Sequence, residues 1–159
     1  MVTFGYLRAF DLCILQKTDV TDREFDDSVK CLVKFLPRPF CAFNSRFEES
    51  WLGLKFDLDL FEKWKQVSEK MSNQGIPSRW PGLKELIPGP YAALGANDVL
   101  GHQVPLVWRE YLGSRDSSLL TKIIDHNYFD LLRDCCLLIW DDRSMLEVMT
   151  VLLREEEDG

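Results

Sequence analysis

The spacing of apolar residues changes along this chain, and the change limits the folds that the chain can adopt. Residues 2–15 alternate in places between apolar and polar side chains, which is typical of one or two strands. Residues 22–36 follow a capping box at 21–24, carry apolar side chains at helical spacing and end before Pro37, which predicts a helix. Strands first and helices afterwards predict an α+β fold, with a small N-terminal antiparallel β element packed with roughly five to six helices.

In the middle of the chain, the spacing of apolar residues changes between the alternation typical of strands and the spacing typical of helices. Leucine and phenylalanine alternate strictly with small and charged residues at 52–58, which predicts a half-buried strand with Asp57 and Asp59 on its solvated side. Capping residues, prolines and helical spacing predict further helices. These run from Asp59 through Met71, from Pro81 to Ile87, from Pro105 to a stop at Gly113, from Asp116 to a kink or end at 125–127, from Tyr128 to Trp140 and from Ser144 onward, with irregular segments at 72–82 and 91–104.

The length and composition suit one domain. A chain of 159 residues with 46% apolar residues can bury a substantial core. No internal repeat, low-complexity segment or long linker divides the sequence. We therefore expect a single globular domain over residues 1–159, with residues 154–159 as an acidic C-terminal tail.

Negative charge is concentrated at the end of the sequence. Residues 141–159 hold seven acidic and two basic side chains, a net charge of −5, so the preceding residues carry only −2 of the total of −7. No stretch is strongly basic, which disfavours nucleic acid and anionic membranes as partners. A protein partner with a basic patch is expected instead, since opposite fields speed encounter.

The cysteines indicate a reducing compartment. Their number is odd, and all of them lie among apolar residues rather than in a spaced disulfide framework. The N-terminal residues do not resemble a signal peptide, and no apolar run is long enough for a membrane span. These features predict a cytoplasmic protein. The cysteine positions are Cys13, Cys31, Cys41, Cys135 and Cys136.

The sequence carries no motif that predicts catalysis. Its two histidines, His102 and His126, lack paired ligands at metal-binding spacing, and no phosphate-binding glycine loop or serine nucleophile elbow occurs. A cysteine nucleophile with either histidine as base is possible, but any of the cysteines could then be chosen. We therefore expect a protein that is not an enzyme and that needs no metal or cofactor.

Aromatic residues are abundant, at 12% of the chain. Phe25, Trp64 and Trp140 fit apolar helical stripes and are expected in the core. Other rings lie in polar or terminal segments, where aromatic side chains often anchor protein contacts. The predicted partner-binding residues are Phe4, Tyr6, Phe43, Phe47 and Trp80.

Three segments of the chain carry a family resemblance. Residues 81–87 read Pro-Gly-Leu-Lys-Glu-Leu-Ile, and residues 40–43 read Phe-Cys-Ala-Phe ahead of the segment 54–61. Residues 134–138 read Asp-Cys-Cys-Leu-Leu ahead of a predicted helix near 145–153 and an acidic end. In these segments the chain resembles the nonstructural NSs proteins of phleboviruses. The resemblance implies a viral accessory protein that blocks or sequesters a host defence protein in the host cytoplasm or nucleus, without catalysis and so without catalytic residues.

The leading functional expectation is therefore an inhibitory protein-binding factor that antagonises a host innate-defence or stress-response protein. An acidic immunity protein or antitoxin is the first alternative, because many toxins are basic. A cysteine-dependent hydrolase is a less favoured one, and a subunit of a larger assembly is another. The sequence leaves the partner, the source organism and the oligomeric state open.

Overall fold

The computed structural model describes residues 3–8, 11–73, 83–87 and 99–139. Within these residues it contains a small antiparallel two-stranded sheet at the N-terminus and a majority of helical residues, so the predicted α+β class is confirmed. The chain divides into two compact units. The first comprises Met1–Pro37 and Gly89–Leu132, and the second comprises Arg38–Pro88 and Arg133–Gly159.

A hairpin opens the first unit. Strands β1 (Thr3–Arg8) and β2 (Asp11–Gln16) pair antiparallel, with Gly5 opposite Ile14 and Tyr6 opposite Cys13. The segment predicted as one or two strands is therefore two. A Cβ atom on Gly5 would lie 2.7 Å from Leu131 Cδ1 and 3.0 Å from Asn127 Oδ1, so this face of β1 packs closely against the helix that carries those residues.

Helix α1 (Arg23–Val33) follows the hairpin. The Asp22 carboxylate accepts a hydrogen bond of 3.0 Å from the Phe25 amide, so Asp22 is the N-cap. The predicted capping box was wrong by one residue, because the Thr21 hydroxyl donates to Asp19 instead. Val29 and Val33 on the inner face are buried, in agreement with the predicted apolar stripe.

Two longer helices complete the first unit. After the short 3₁₀ helix η1 (Gly101–Gln103), α5 spans Val104–Ser114 and α6 spans Ser117–Ile139, the last turns of which belong to the second unit. The predicted stop at Gly113 was wrong, because the helix continues and Arg115 adopts the left-handed conformation that ends it. The predicted end of a helix at 125–127 is also wrong, since α6 continues through these residues.

Arg115 connects the end of α5 to the segment between β2 and α1. Its guanidinium lies 3.1 Å from an Asp19 carboxylate oxygen and 3.3 Å from the Thr18 carbonyl, which also accepts a 3.0 Å hydrogen bond from the Tyr111 hydroxyl. The Arg115 guanidinium also lies over the Tyr111 ring. These side-chain contacts, which a glycine would lack, offset the strain of the left-handed backbone at Arg115.

In the second unit, the strand predicted at 52–58 is wrong. Helix α2 spans Ser45–Leu52, and Gly53 ends it at a φ of 68°. Only Leu58–Asp59 (β4) is extended and paired, parallel to Cys41–Ala42 (β3). The alternation of apolar residues fails as a strand signal here because Leu52 is the buried last residue of a helix, whereas Leu58 is exposed.

Helix α3 (Leu60–Asn73) confirms the helix predicted after Asp59, and α4 is a single turn at Leu83–Leu86. The core of this unit contains Leu60, Trp64 and Leu137, all of which are almost fully buried. Arg133, also buried, donates from Nε to the Ile87 carbonyl at 3.2 Å. Charge is thus placed in the interior with a backbone acceptor, as buried polar groups require.

Several predictions from the sequence lie outside the described residues. They concern Trp80, Trp140, most of the irregular segments 72–82 and 91–104, the helix from Ser144 and the acidic tail. In the part of the chain that the structure describes, no helix combines the length and the apolar character that crossing a bilayer requires.

Two glycine substitutions test this description. Gly113→Ala adds a methyl group in open space within α5 and should raise the free energy of unfolding by about 0.5–1 kcal/mol. Gly5→Val places branched carbons against Leu131 and Asn127 and should lower it by about 1–3 kcal/mol. Urea denaturation followed by circular dichroism measures both. A destabilised Gly113→Ala would contradict the helical assignment of that position.

Candidate protein-binding surface

One side of α2 is exposed and carries two aromatic rings. Arg46, Phe47, Ser50 and Trp51 are exposed, whereas Ser45 and Leu52 are buried. Positions separated by three and four residues share a face of a helix, so these four side chains form one continuous surface. We call it the α2 face.

Phe47 and Trp51 form the apolar part of the α2 face. Their ring centroids are 6.4 Å apart at 62°, an edge-to-face arrangement, and the residues are 60% and 47% exposed. Exposed apolar area of this kind lowers stability in water relative to polar side chains. Large neighbouring rings on a monomer surface are typical of contact sites.

The N-terminus of α2 is held by Asp59. One Asp59 oxygen accepts from the Ser45 amide at 2.9 Å and from the Ser45 hydroxyl at 2.8 Å. The other accepts from the Phe61 amide at 2.9 Å and more weakly from the Glu62 amide at 3.4 Å, at the start of α3. A single carboxylate therefore satisfies the first amides of two helices, where negative charge also complements both helix dipoles.

The C-terminus of α2 is held by Glu49. Its carboxylate accepts from Lys55 Nζ at 2.6 Å and from the Phe56 amide at 3.0 Å, and these two hydrogen bonds lower the pKa of Glu49. The Gly53 amide also donates a hydrogen bond of 3.0 Å to the Glu49 carbonyl. A helix of eight residues is marginal alone. Contacts at both ends therefore fix the α2 face in position.

Asp57 anchors the segment that follows. The Arg38 guanidinium donates to one Asp57 oxygen at 2.7 Å, and the Phe40 amide donates to the other at 2.6 Å; both bonds lower the pKa of Asp57. Asp57 is exposed, as expected for a solvated charge, and Asp59 is half-buried in β4. Each carboxylate is an acceptor for backbone amides of a neighbouring segment.

Glu48 lies on the half-buried side of α2. Its Oε2 atom is shielded from solvent and has no hydrogen-bond partner within the described residues. Burial and, to a lesser extent, the Asp59 carboxylate raise the pKa of Glu48 to about 7. The charged form is disfavoured there because low-dielectric surroundings and a second negative charge both act against it.

The predicted partner-binding residues fall in different surroundings. Phe47 is on the α2 face, but Phe43 is half-buried and packs edge-to-face on Phe61 at 5.5 Å. Phe4 and Tyr6 are half-buried neighbours at 6.1 Å on the face of β1 opposite Gly5, and therefore point away from α6. Trp80 lies outside the described residues.

Sequence reasoning missed Trp51. Its four-residue spacing from Phe47 was a usable signal for a shared helical face. That signal was overlooked because the alternation beginning at Leu52 placed the region next to a predicted strand. Arg46 and Ser50 were missed for the same reason.

The cysteines of the second unit are poor candidates for a nucleophile. Burial, with the nearby Asp134 carboxylate, raises the pKa of Cys41 to about 11, and the same two causes raise the pKa of Cys135. Both thiols are therefore protonated at neutral pH, whereas nucleophilic cysteines need a lowered pKa. Within the described ranges, no three His, Cys, Asp or Glu side chains are arranged to hold a metal ion.

The histidines lie in the first unit. His102 is exposed in η1, and His126 lies within α6 with Nε2 3.4 Å from an Asp130 oxygen.

Comparisons of the chain with protein families, with curated proteins and with solved structures find no match.

Removing the Asp59 carboxylate should destabilise the protein more than removing an ordinary helix cap. Asp59→Ala leaves two helix starts without an acceptor and should lower the free energy of unfolding by about 2–3 kcal/mol. Asp22 caps α1 alone, so Asp22→Ala should lower it by about 1 kcal/mol. Urea denaturation of both variants gives the comparison. Equal losses would show that Asp59 does not support both helices.

Glu48 should make stability fall as pH rises. The folded pKa of about 7 lies above the ordinary value of 4.5, so the folded state holds the proton more tightly between these values. Stability should therefore decline from about pH 4.5 to 7, by about 1 kcal/mol once partial solvent screening is allowed for. Glu48→Gln should flatten the free energy of unfolding across this window. An unchanged pH profile would show that Glu48 is not the group responsible.

Proposed function

We propose that this chain is a non-enzymatic binding protein that acts by occupying a surface of another protein, and that the α2 face is its contact site. The observation that carries the proposal is the exposed Phe47–Trp51 pair. Tryptophan and arginine dominate the residues whose removal most weakens protein interfaces, and both types are present on this face.

The support of α2 strengthens the proposal. Asp59 and Glu49 fix the two ends of the helix, so both rings are presented without a loop having to become ordered first. A preformed contact surface lowers the entropic cost of association. The raised pKa values of Cys41 and Cys135 favour this interpretation over a cysteine-dependent hydrolase that uses either thiol.

The narrower form of the proposal is inhibition. A protein that covers a partner's surface blocks whatever else binds there, which requires no chemistry of its own. The resemblance of residues 40–43, 81–87 and 134–138 to phlebovirus NSs proteins supports a host innate-defence or stress-response protein as the partner, met in the host cytoplasm or nucleus.

Photo-crosslinking tests the contact site. A photoreactive amino acid replacing Ser50 lies on the α2 face beside both rings. It should capture a discrete protein from infected or transfected animal cells, and adding Phe47→Ala and Trp51→Ala should reduce the yield at least tenfold. Phe35→Ala is the matched control, since Phe35 is 80% exposed but belongs to the first unit.

Two results would contradict the proposal. Crosslinking that survives loss of both rings would remove the α2 face from the contact, and a yield equally sensitive to Phe35→Ala would show a non-specific effect. A partner captured only from bacterial lysate, and toxic when expressed without this chain, would favour the immunity-protein alternative over host antagonism.

A further inference from the structure

We propose that the site on the partner is an apolar pocket bordered by carboxylate groups, and that Phe47 and Trp51 enter the pocket while Arg46 pairs with its acidic rim. This inference rests on the proposed function and adds the chemistry of the partner. It is carried by the position and exposure of Arg46.

Arg46 is available for a new ion pair. Its side chain is 84% exposed, and within the described residues it forms an ion pair with Glu62, with Nη2 to Oε1 at 4.0 Å. An exposed pair at that distance contributes little to stability, so the guanidinium can exchange Glu62 for another carboxylate at small cost. Planar guanidinium groups bind carboxylates through paired hydrogen bonds.

The acidic residues of α2 do not cancel this positive charge. Glu48 lies on the half-buried side, where its pKa is raised, and Glu49 is hydrogen bonded to Lys55 and to the Phe56 amide. Among the residues of α2, the charged group that lies beside the rings on the exposed side is therefore a cation. Its complement on a partner is negative charge next to an apolar surface.

A second copy of the chain fits this surface poorly. The exposed parts of the two rings amount to roughly 200 Å² together, taking about half of a ring of ordinary size for each. A stable interface needs about 800 Å² from each partner, so a contact here must extend beyond the rings whatever the partner is. A symmetric contact centred on the rings would also bring two Arg46 side chains together. A pocket on a different protein can enclose both rings without bringing two Arg46 side chains together.

Polyanions are also disfavoured as the occupant. Arginine beside aromatic rings can bind nucleic acid or anionic lipid, but the whole chain carries a net charge of −7. The expectation of a basic patch on the partner came from the acidic residues 141–159, and it concerns the long-range field. The α2 face concerns the short-range contact, where Arg46 pairs with negative charge on the partner.

Selection from a random dodecapeptide display library tests the inference on the full chain. Binders to the wild type are depleted on the Phe47→Ala/Trp51→Ala variant, so that only peptides dependent on the rings remain. These should be enriched in aspartate or glutamate beside aromatic or aliphatic residues. Selection on Arg46→Glu should shift the enrichment to lysine and arginine.

Titration of one selected acidic peptide then gives the size of the effect. Arg46→Glu should weaken its Kd at least tenfold, and Arg46→Lys should weaken it less. Lys34→Glu, the same charge change on an exposed residue of the first unit, should leave the Kd within twofold. Fluorescent single-stranded DNA and phosphatidylserine vesicles are titrated in parallel.

The outcomes separate the two proposals. Peptides that depend on the rings but are basic, or are insensitive to Arg46→Glu, overturn the acidic rim and leave the proposed contact site intact. Recovery of no ring-dependent peptide counts against the proposed contact site itself. Binding of DNA or vesicles that is lost in both Arg46→Glu and Phe47→Ala/Trp51→Ala would replace the protein partner with a polyanion.

Discussion

The Asp59 carboxylate joins the two helices on which the second unit is built. Its two oxygens accept from the starts of α2 and α3, and its residue also belongs to β4, which pairs with β3. Helix starts leave amides without intrahelical partners, and here one side chain satisfies amides at both. The position of α2, and with it the direction of the exposed rings, follows from this shared cap.

Helix α2 is short and depends on its surroundings. Its buried side places Leu52 and the Ser45 hydroxyl inward, and its half-buried side carries a Glu48 carboxyl whose raised pKa reflects an unfavourable location for charge. Its exposed side shows two rings and a guanidinium to water. Neither the half-buried Glu48 carboxyl nor the exposed rings favour folding. The carboxyl loses hydration on burial, and the rings leave apolar area in water. Such costs are commonly retained where a surface has a function.

Long, regular patterns in the sequence predicted the fold well, and short signals did less well. The stripes of α1 and α3 were recognisable because several turns repeat the same spacing, and the end of α6 was recognisable from its length and leucine content. Phe47 was found among the candidate contact residues, but Trp51 and Arg46 were not, since the alternation of apolar residues at 52–58 imitated a strand. Two helix ends were also placed wrongly. Thr21 was predicted as the N-cap of α1, which is Asp22, and Gly113 was predicted to end α5, which Arg115 ends. In both cases a neighbouring residue offered an equivalent cap.

The sequence by itself determined the α+β class, the strand character of residues 2–15 and the helices α1 and α3, because the spacing of apolar residues is a local property of the chain. Tertiary structure decided the rest. Asp57 and Asp59 became acceptors for amides 14 to 17 residues away, and a left-handed Arg115 was retained by contacts to Thr18 and Asp19, 97 and 96 residues distant. Which rings lie buried and which remain exposed depends on such distant partners, and spacing along the chain does not encode them.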